Sequence, residues 1–375
     1  MKELNNKLKV ITIVGTRPEI IRLSEILKKC DKYFDHKLIF TNQNYSKELS
    51  EIFFKDLKLK NPDYHLKINN KTIGKFYGDV LAHCEKIFMK ERPDAIIILG
   101  DTNSSISSLI AKRLKIPVFH LEAGNRSFDN NVPEELNRKM VDHISDFNLV
   151  YTNHAKENLL AEGLDRRKIF LIGSPLNEVL NNKINQIKNS KILKKLNLRK
   201  NNYFVVSLHR EENIDNKSKL NDLIESLLTI KKVFKMKIVL TNHPRLEKKN
   251  SVLKKYKDII ICKPFGYYDY MNLQKNSFCV LSDSGTIAEE SSILNFDAIC
   301  VRNSMERPEA LDTGSVILSG VKKQNILGSI KLLKSLGKKD LLVPIDYQIK
   351  DTSNRVIKLV QSLSHLKDNW FNIDK

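Results

Sequence analysis

Ten short apolar runs, each followed by a small or polar residue, alternate with stretches of helical periodicity, and that alternation is the feature the fold must satisfy. "LKVITIVG", "HKLIFTN", "AIIILGD", "PVFHLEAG" and "FNLVYTN" form a first set. "YFVVSLH", "KIVLTNH", "DIIICK", "FCVLSD" and "DAICVRN" form a second. Helical patterns such as "PEIIRLSEILKKC" and "NSSISSLIAKRLK" lie between them. Strands this uniformly apolar belong in a parallel sheet covered by helices on both faces. The rhythm breaks once, over "LIGSPLNEVLNNKINQIKNSKILKKLNLRKNN", a polar stretch that reads as a hinge. The expected fold is therefore α/β: two doubly wound parallel-sheet domains, 1–175 and 176–350, split near residues 176–200, with a cleft between them. The pattern "SNRVIKLVQSLSHL" reads as a closing helix, 351–375, that packs back on the first domain. A chain of 375 residues accommodates two domains of roughly 100–200 residues each.

Net charge of +20 raises a nucleic-acid reading. The lysines, however, are spread through Asn- and Ile-rich text without the aromatic interleaving that stacks bases, so a solvated basic surface is expected and no nucleic-acid partner. Weaker consequences of the same charge are attraction to an anionic substrate or to an anionic membrane surface. No apolar run approaches the roughly 18 residues of a membrane span, and "MKELNNKLKV" lacks a signal-peptide core. The reading is a cytoplasmic protein without stable membrane insertion. Five scattered cysteines show no CxxC spacing and read as reduced packing residues. No His, Cys, Asp and Glu set has trustworthy metal-ligand spacing, and Walker, GxGxxG and nucleophile-elbow motifs are absent from the sequence.

Ligands of open parallel sheets bind at the carboxyl ends of strands, where the informative residues of this chain fall. Ser284-Gly285 follows "FCVLSD". Such a turn at a helix start aims N–H groups at an anion, Gly285 admits a phosphate, and Glu290 could accept from ribose hydroxyls. The same text also fits an ordinary helix capped by Asp283 or Ser284. Gly15 to Pro18 follow the first run. Arg17, with Arg22 about a turn later, stands near a helix start, where a cation is unfavourable unless an anion joins it. Asp101 ends "AIIILGD", Glu122 sits inside the apolar end of "PVFHLEAG", and Glu134 opens a helix after Pro133. A glutamate inside an apolar strand end needs a reason; the other two could be caps. His209 and His243 close two runs of the second set. Several acids with histidine suit general acid–base chemistry.

In order and spacing, "VGTRPEIIRLSEIL", "LGDTNSS", "HLEAGNR", "VPEELNRKMVDHISD", "SLHREEN", "SDSGTIAEE" and "RNSMERPEALDTGSV" resemble the non-hydrolysing UDP-N-acetylglucosamine 2-epimerase family, from about Lys9 to Gly320. The resemblance implies two Rossmann-like domains of the glycosyltransferase-B type, inversion of C2 in a UDP-sugar, no cofactor, no metal and a homodimer. It implies that Arg17, His209, Ser284, Gly285, Glu290 and Arg307 hold UDP. Asp101, Glu122 and Glu134 would flank the sugar and handle protons, with His209 in the catalytic set. Arg22, His243 and Arg302 would complete the lining. Thr286 stands where the family commonly has glycine, and would tighten the diphosphate turn. "HLEAGNRSFDNNVPEE" and "TNQNYSKEL" depart from the glucosamine enzymes. The departures are similar to the subgroup that epimerises UDP-2-acetamido-2,6-dideoxy-L-talose to UDP-N-acetyl-L-fucosamine, a capsule or O-antigen precursor. The alternatives are a UDP-N-acetylglucosamine enzyme giving UDP-N-acetylmannosamine, a hydrolysing epimerase, a glycosyltransferase of the same fold, and a basic nucleic-acid-binding protein.

Overall fold

The structure, a computed structural model, describes residues 7–43, 54–241, 253–337 and 342–371. The chain divides into two compact units: residues 1–179 with 349–375, and residues 180–348.

Unit 1 holds a seven-stranded parallel sheet of order β3-β2-β1-β4-β5-β6-β7. Its strands are β1 (Lys9–Val14), β2 (Asp35–Phe40), β3 (Tyr64–His65), β4 (Ala95–Leu99), β5 (Val118–Ala123), β6 (Phe147–Val150) and β7 (Ile169–Leu171). Every residue of "AIIIL" in β4 is buried, as a strand covered on both faces requires. The helix Arg17–Tyr33 buries Ile20, Leu23, Ile26, Leu27 and Cys30, an apolar stripe at helical spacing. The closing helix Thr352–Phe371 packs on that helix. Its start is anchored where Glu178 accepts from the Ser353 N–H at 2.8 Å and the Thr352 hydroxyl donates to the Ile172 carbonyl at 3.2 Å.

Unit 2 holds a six-stranded parallel sheet of order β10-β9-β8-β11-β12-β13. These strands are β8 (Tyr203–Ser207), β9 (Lys237–Thr241), β10 (Ile259–Cys262), β11 (Cys279–Ser282), β12 (Ala298–Cys300) and β13 (Val316–Leu318). A core around Phe204, Val206, Ile238, Leu240, Leu281 and Ile299 joins one face of this sheet to Leu223, Leu227 and Ile230 of the helix Lys217–Phe234.

The division into units falls inside the polar stretch read as a hinge, which is mainly helical: a helix spans Pro175–Lys188, and a short one Ile192–Lys195. Leu176, Val179, Leu180 and Ile187 give it a buried stripe that the surrounding Asn and Lys obscure. Three further strands complete the sheets beyond those expected from the sequence. β3, β7 and β13 have two or three residues each and lie at sheet edges, where one apolar residue suffices. Among the described residues no helix is long and apolar enough to cross a membrane.

In each sheet the strand order reverses once, between β1 and β4 and between β8 and β11. A crevice opens at the carboxyl ends of such a pair, and there the helices that follow the two strands leave in opposite directions.

Candidate functional site

The first cluster lies at the reversal point of unit 1. Arg17 is exposed at the first position of its helix. Gly15 before it is tightly enclosed: a Cβ there would come within 2.1 Å of Ser104 Oγ and 2.3 Å of Thr41 Oγ1, so these hydroxyls would have to shift. Arg22 does not stay with Arg17. It turns inward, 3% exposed, to pair with Glu122, and its guanidinium lies 5.9 Å from the Tyr151 ring centre. The pair expected along the diphosphate is thus divided, one arginine outward and one against a carboxylate.

Glu122 sits where β5 breaks register against β6, between Leu121 and Ala123, and its φ is +64°. A non-glycine residue held in that region costs about 1–3 kcal/mol and persists only when its surroundings impose it. Gly100, the last residue before Asp101, faces the same carboxyl group: a Cβ there would lie 3.9 Å from the Glu122 carboxyl carbon. Asp101 is paired with Arg138 at 2.5 Å, and the Asn137 amide donates to the Asp101 carbonyl at 2.9 Å. Glu134 opens the helix Pro133–Ile144 and, by spacing, shares the face carrying Asn137 and Arg138. Asp101, Glu122, Arg22 and the Glu134 helix therefore meet at one end of unit 1.

Behind these residues stand carboxylates that the sequence did not mark as functional. Glu135 accepts from the Ser127 N–H at 3.0 Å, the Ser127 hydroxyl at 2.9 Å, the Phe128 N–H at 3.2 Å and Arg138 at 2.8 Å. Burial pushes its carboxyl up, but the Ser127 bonds and Arg138 hold it below the usual range. Arg138 thus joins Asp101 to the loop carrying Phe128, a residue with φ +53° and 75% exposure. Glu19, 2% exposed, turns back from the first helical turn. Its Oε2 accepts from the Gly15 N–H at 3.0 Å, the Thr16 N–H at 2.7 Å and the Thr16 hydroxyl at 2.7 Å, and Oε1 from the Thr102 hydroxyl at 3.1 Å. Burial nevertheless raises this carboxyl to about 7. Deeper still, Asp142 accepts from the Gly124 N–H at 3.1 Å and from Arg126 at 2.7 Å, and Arg126 is gripped through two nitrogens by Glu162.

The second cluster lies at the reversal point of unit 2. Asp283, fully buried at the end of β11, accepts from the His209 N–H at 3.0 Å and the Arg210 N–H at 3.1 Å, fixing the loop after β8. The His209 ring stands with Nδ1 3.1 Å from Asp283 Oδ1, and its side chain is 40% exposed. Asp283 is thus no helix cap. The helix is Ile287–Leu294 and its N-cap is Thr286, so Ser284-Gly285 forms a turn ahead of it. The Ser284 and Thr286 hydroxyls lie 3.0 Å apart across that turn. At Gly285 the ends of two side chains come close: a Cβ would lie 2.5 Å from Glu306 Oε1 and 3.0 Å from Arg307 Nη1, so both would have to move aside. Arg307 donates to the Gly285 carbonyl at 2.8 Å and pairs with Glu289 at 3.0 Å. Arg302 pairs with Glu306 at 2.8 Å, and its Nη2, though buried, has no partner among the described residues. Glu290 accepts from Gln274 Nε2 at 2.8 Å. Nearby Gln274 Oε1 and the Tyr267 hydroxyl are buried without partners among the described residues. Burial, then the charge of Glu290, pushes the Tyr267 phenol well above its ordinary value. His243 lies outside the described residues.

Residues 28–361 match the family model described as UDP-N-acetylglucosamine 2-epimerase. The chain belongs to this family. It is an isomerase of the nucleotide-sugar 2-epimerase class, with the two-unit parallel-sheet fold of glycosyltransferase-B-like proteins. The UDP-N-acetylglucosamine 2-epimerase from Rickettsia bellii is 40% identical, with a TM-score of 0.91 over 98% of this chain and 100% of that one. The Methanocaldococcus jannaschii enzyme, solved in complex with UDP-GlcNAc and UDP, is 37% identical, with a TM-score of 0.89 over 94% of this chain and 99% of that one. A Pseudomonas aeruginosa relative, 31% identical over 88% of this chain and 93% of its own length, is a UDP-2,3-diacetamido-2,3-dideoxy-D-glucuronate 2-epimerase. Relatives of the 2-epimerase thus carry different sugars in their names.

Proposed function

We propose that this epimerase inverts C2 of a UDP-2-acetamido sugar by eliminating UDP and adding it back. The C2 hydrogen has no neighbouring carbonyl to acidify it. Breaking the C1–O bond sends its electron pair to the diphosphate and makes the ring oxocarbenium-like, so that C2 becomes acidic. A carboxylate removes the C2 proton and a 2-acetamidoglycal forms. A diphosphate oxygen then rebonds to C1 while a proton is delivered to the opposite face of C2. Two proton-transfer groups are needed, and the observation that carries the reading is the pair Asp101 and Glu122. They stand at adjacent strand ends, each with its own guanidinium, and one is held in a strained backbone conformation. In this reading Glu134 supports the sugar side. Arg17, His209, the 284–286 turn, Arg302 and Arg307 stabilise charge on the leaving diphosphate, and Arg22 acts through Glu122. Glu290 offers a buried carboxylate, and Gln274 Oε1 and the Tyr267 hydroxyl offer polar atoms unpartnered among the described residues, all suited to nucleoside hydroxyls.

For the sugar we propose the 6-deoxy-L-talose derivative, as a step toward a surface polysaccharide. The support is the shortened "NRSFDNNVPEE" segment, whose exposed Phe128 is tied through its N–H to Glu135 and offers an apolar side chain that suits a 6-methyl group. The competing sugar, N-acetylglucosamine, is favoured by the names of the relatives at 40% identity. Offering both UDP-sugars in deuterium oxide tests both levels. Deuterium at C2 of recovered nucleotide sugar is expected, faster with the 6-deoxy donor. Release of free sugar, or no label with either donor, would overturn the epimerisation reading. We further propose a homodimer, which light scattering of the purified protein would reveal as twice the chain mass.

A further inference from the structure

The helix Arg17–Tyr33 opens on a capping box, with Thr16 as N-cap and Glu19 at the third helical position. Such a glutamate usually lies at the surface; here it is buried, and a buried carboxylate is costly unless it is fully hydrogen-bonded. The four bonds of Glu19 come from two places. Three bind the Gly15-Thr16 turn, which delivers Arg17, and the fourth reaches the Thr102 hydroxyl, next to Asp101. Those turns end β1 and β4, the neighbouring strands at which the sheet order reverses. Beside this link stand two ion pairs, Asp101 with Arg138 and Arg22 with Glu122.

We propose that Glu19 is a positioning residue for the epimerisation, tying the turn of Arg17 to the turn of Asp101. The diphosphate arm and a proton-transfer carboxylate then keep one spacing while C1–O is broken and remade. This rests on the C2-epimerase reading above. The alignment matters because elimination and return share one set of groups, and both fragments must stay in near-attack geometry throughout.

Thr102→Val cuts the link while leaving the other three bonds of Glu19 in place, and Thr102→Ser keeps the hydroxyl. The expected result is a fall in kcat of about tenfold or more for the valine variant, with KM within about twofold and the serine variant close to wild type. A merely structural role would lower the melting temperature and leave kcat of the folded enzyme alone. Wild-type kcat in Thr102→Val, or equal losses in both variants, would overturn the proposal. Backbone hydrogen exchange supplies a readout independent of turnover. Thr102→Val and Glu19→Ala should each speed exchange in the segment 100–102, and unchanged protection in both would remove the tie itself. If the wild-type enzyme incorporates no C2 deuterium with either UDP-sugar, the reaction and this role fall together. Exchange in the two turns would then still report whether the tie exists.

Discussion

Replacing Glu19 by glutamine should alter how the stability of unit 1 depends on pH. In the folded protein burial raises the carboxyl from 4.5 to about 7, against the hydrogen bonds from Thr16, Gly15 and Thr102. In the unfolded chain it titrates at its ordinary value. Between those two values the folded protein holds a proton that the unfolded chain has released. The stability from that proton is present in the acidic part of the window and is lost as pH rises through the folded value. The gap from 4.5 to about 7, at roughly 1.4 kcal/mol per pH unit, amounts to about 3–4 kcal/mol. Glutamine carries no such proton. Its amide oxygen can take the place of Oε2, and its NH2 can donate to a Thr102 hydroxyl that turns to accept. Urea unfolding at a series of pH values, followed by hydrogen exchange of the backbone amides of β1 and β4, isolates the transition of unit 1. Relative to wild type, the variant should gain about 2–3 kcal/mol between pH 5 and pH 8, background charge effects cancelling in the difference. Parallel profiles, with the difference constant to about 0.5 kcal/mol, would show that Glu19 is not the raised carboxyl.

Asp101→Asn should lower turnover by roughly 100-fold or more, with C2 deuterium incorporation falling in step; near-normal turnover would remove Asp101 from the mechanism. Arg138 bridges Asp101 and Glu135 through two nitrogens, at 2.5 and 2.8 Å, and the single ammonium of Arg138→Lys cannot reproduce that planar fork. A fall in kcat of about tenfold with little change in KM is expected in steady-state kinetics. Asp283→Asn places an amide nitrogen against the His209 and Arg210 N–H groups in a fully buried position. A loss of about 1–3 kcal/mol in unit 2 should show in chemical unfolding, together with weaker UDP binding by calorimetry.

Which parts of this protein could be read from its text follows from the range of the interactions. The central strands announce themselves because burial on both faces demands uninterrupted apolar runs, as in β4 and β8. The edge strands β3, β7 and β13 do not, being too short for any period. Residues at strand ends drew notice because a polar group there departs from the run before it. The groups behind them escaped because each has an adequate local explanation. Glu19 and Glu135 look like acids complementing a helix N-terminus, and Asp283 looks like a cap. Two of them also have a partner far along the chain, which no local pattern announces: Thr102 is 83 residues from Glu19, and His209 is 74 from Asp283. In both units, then, the groups suited to meet a substrate sit where strand periodicity stops, while buried acids behind them bind backbone N–H groups of the turns that carry them. A carboxylate costs most when buried and gains most when several N–H groups converge on it, so acids with several buried donors are the ones to suspect of holding a site in place.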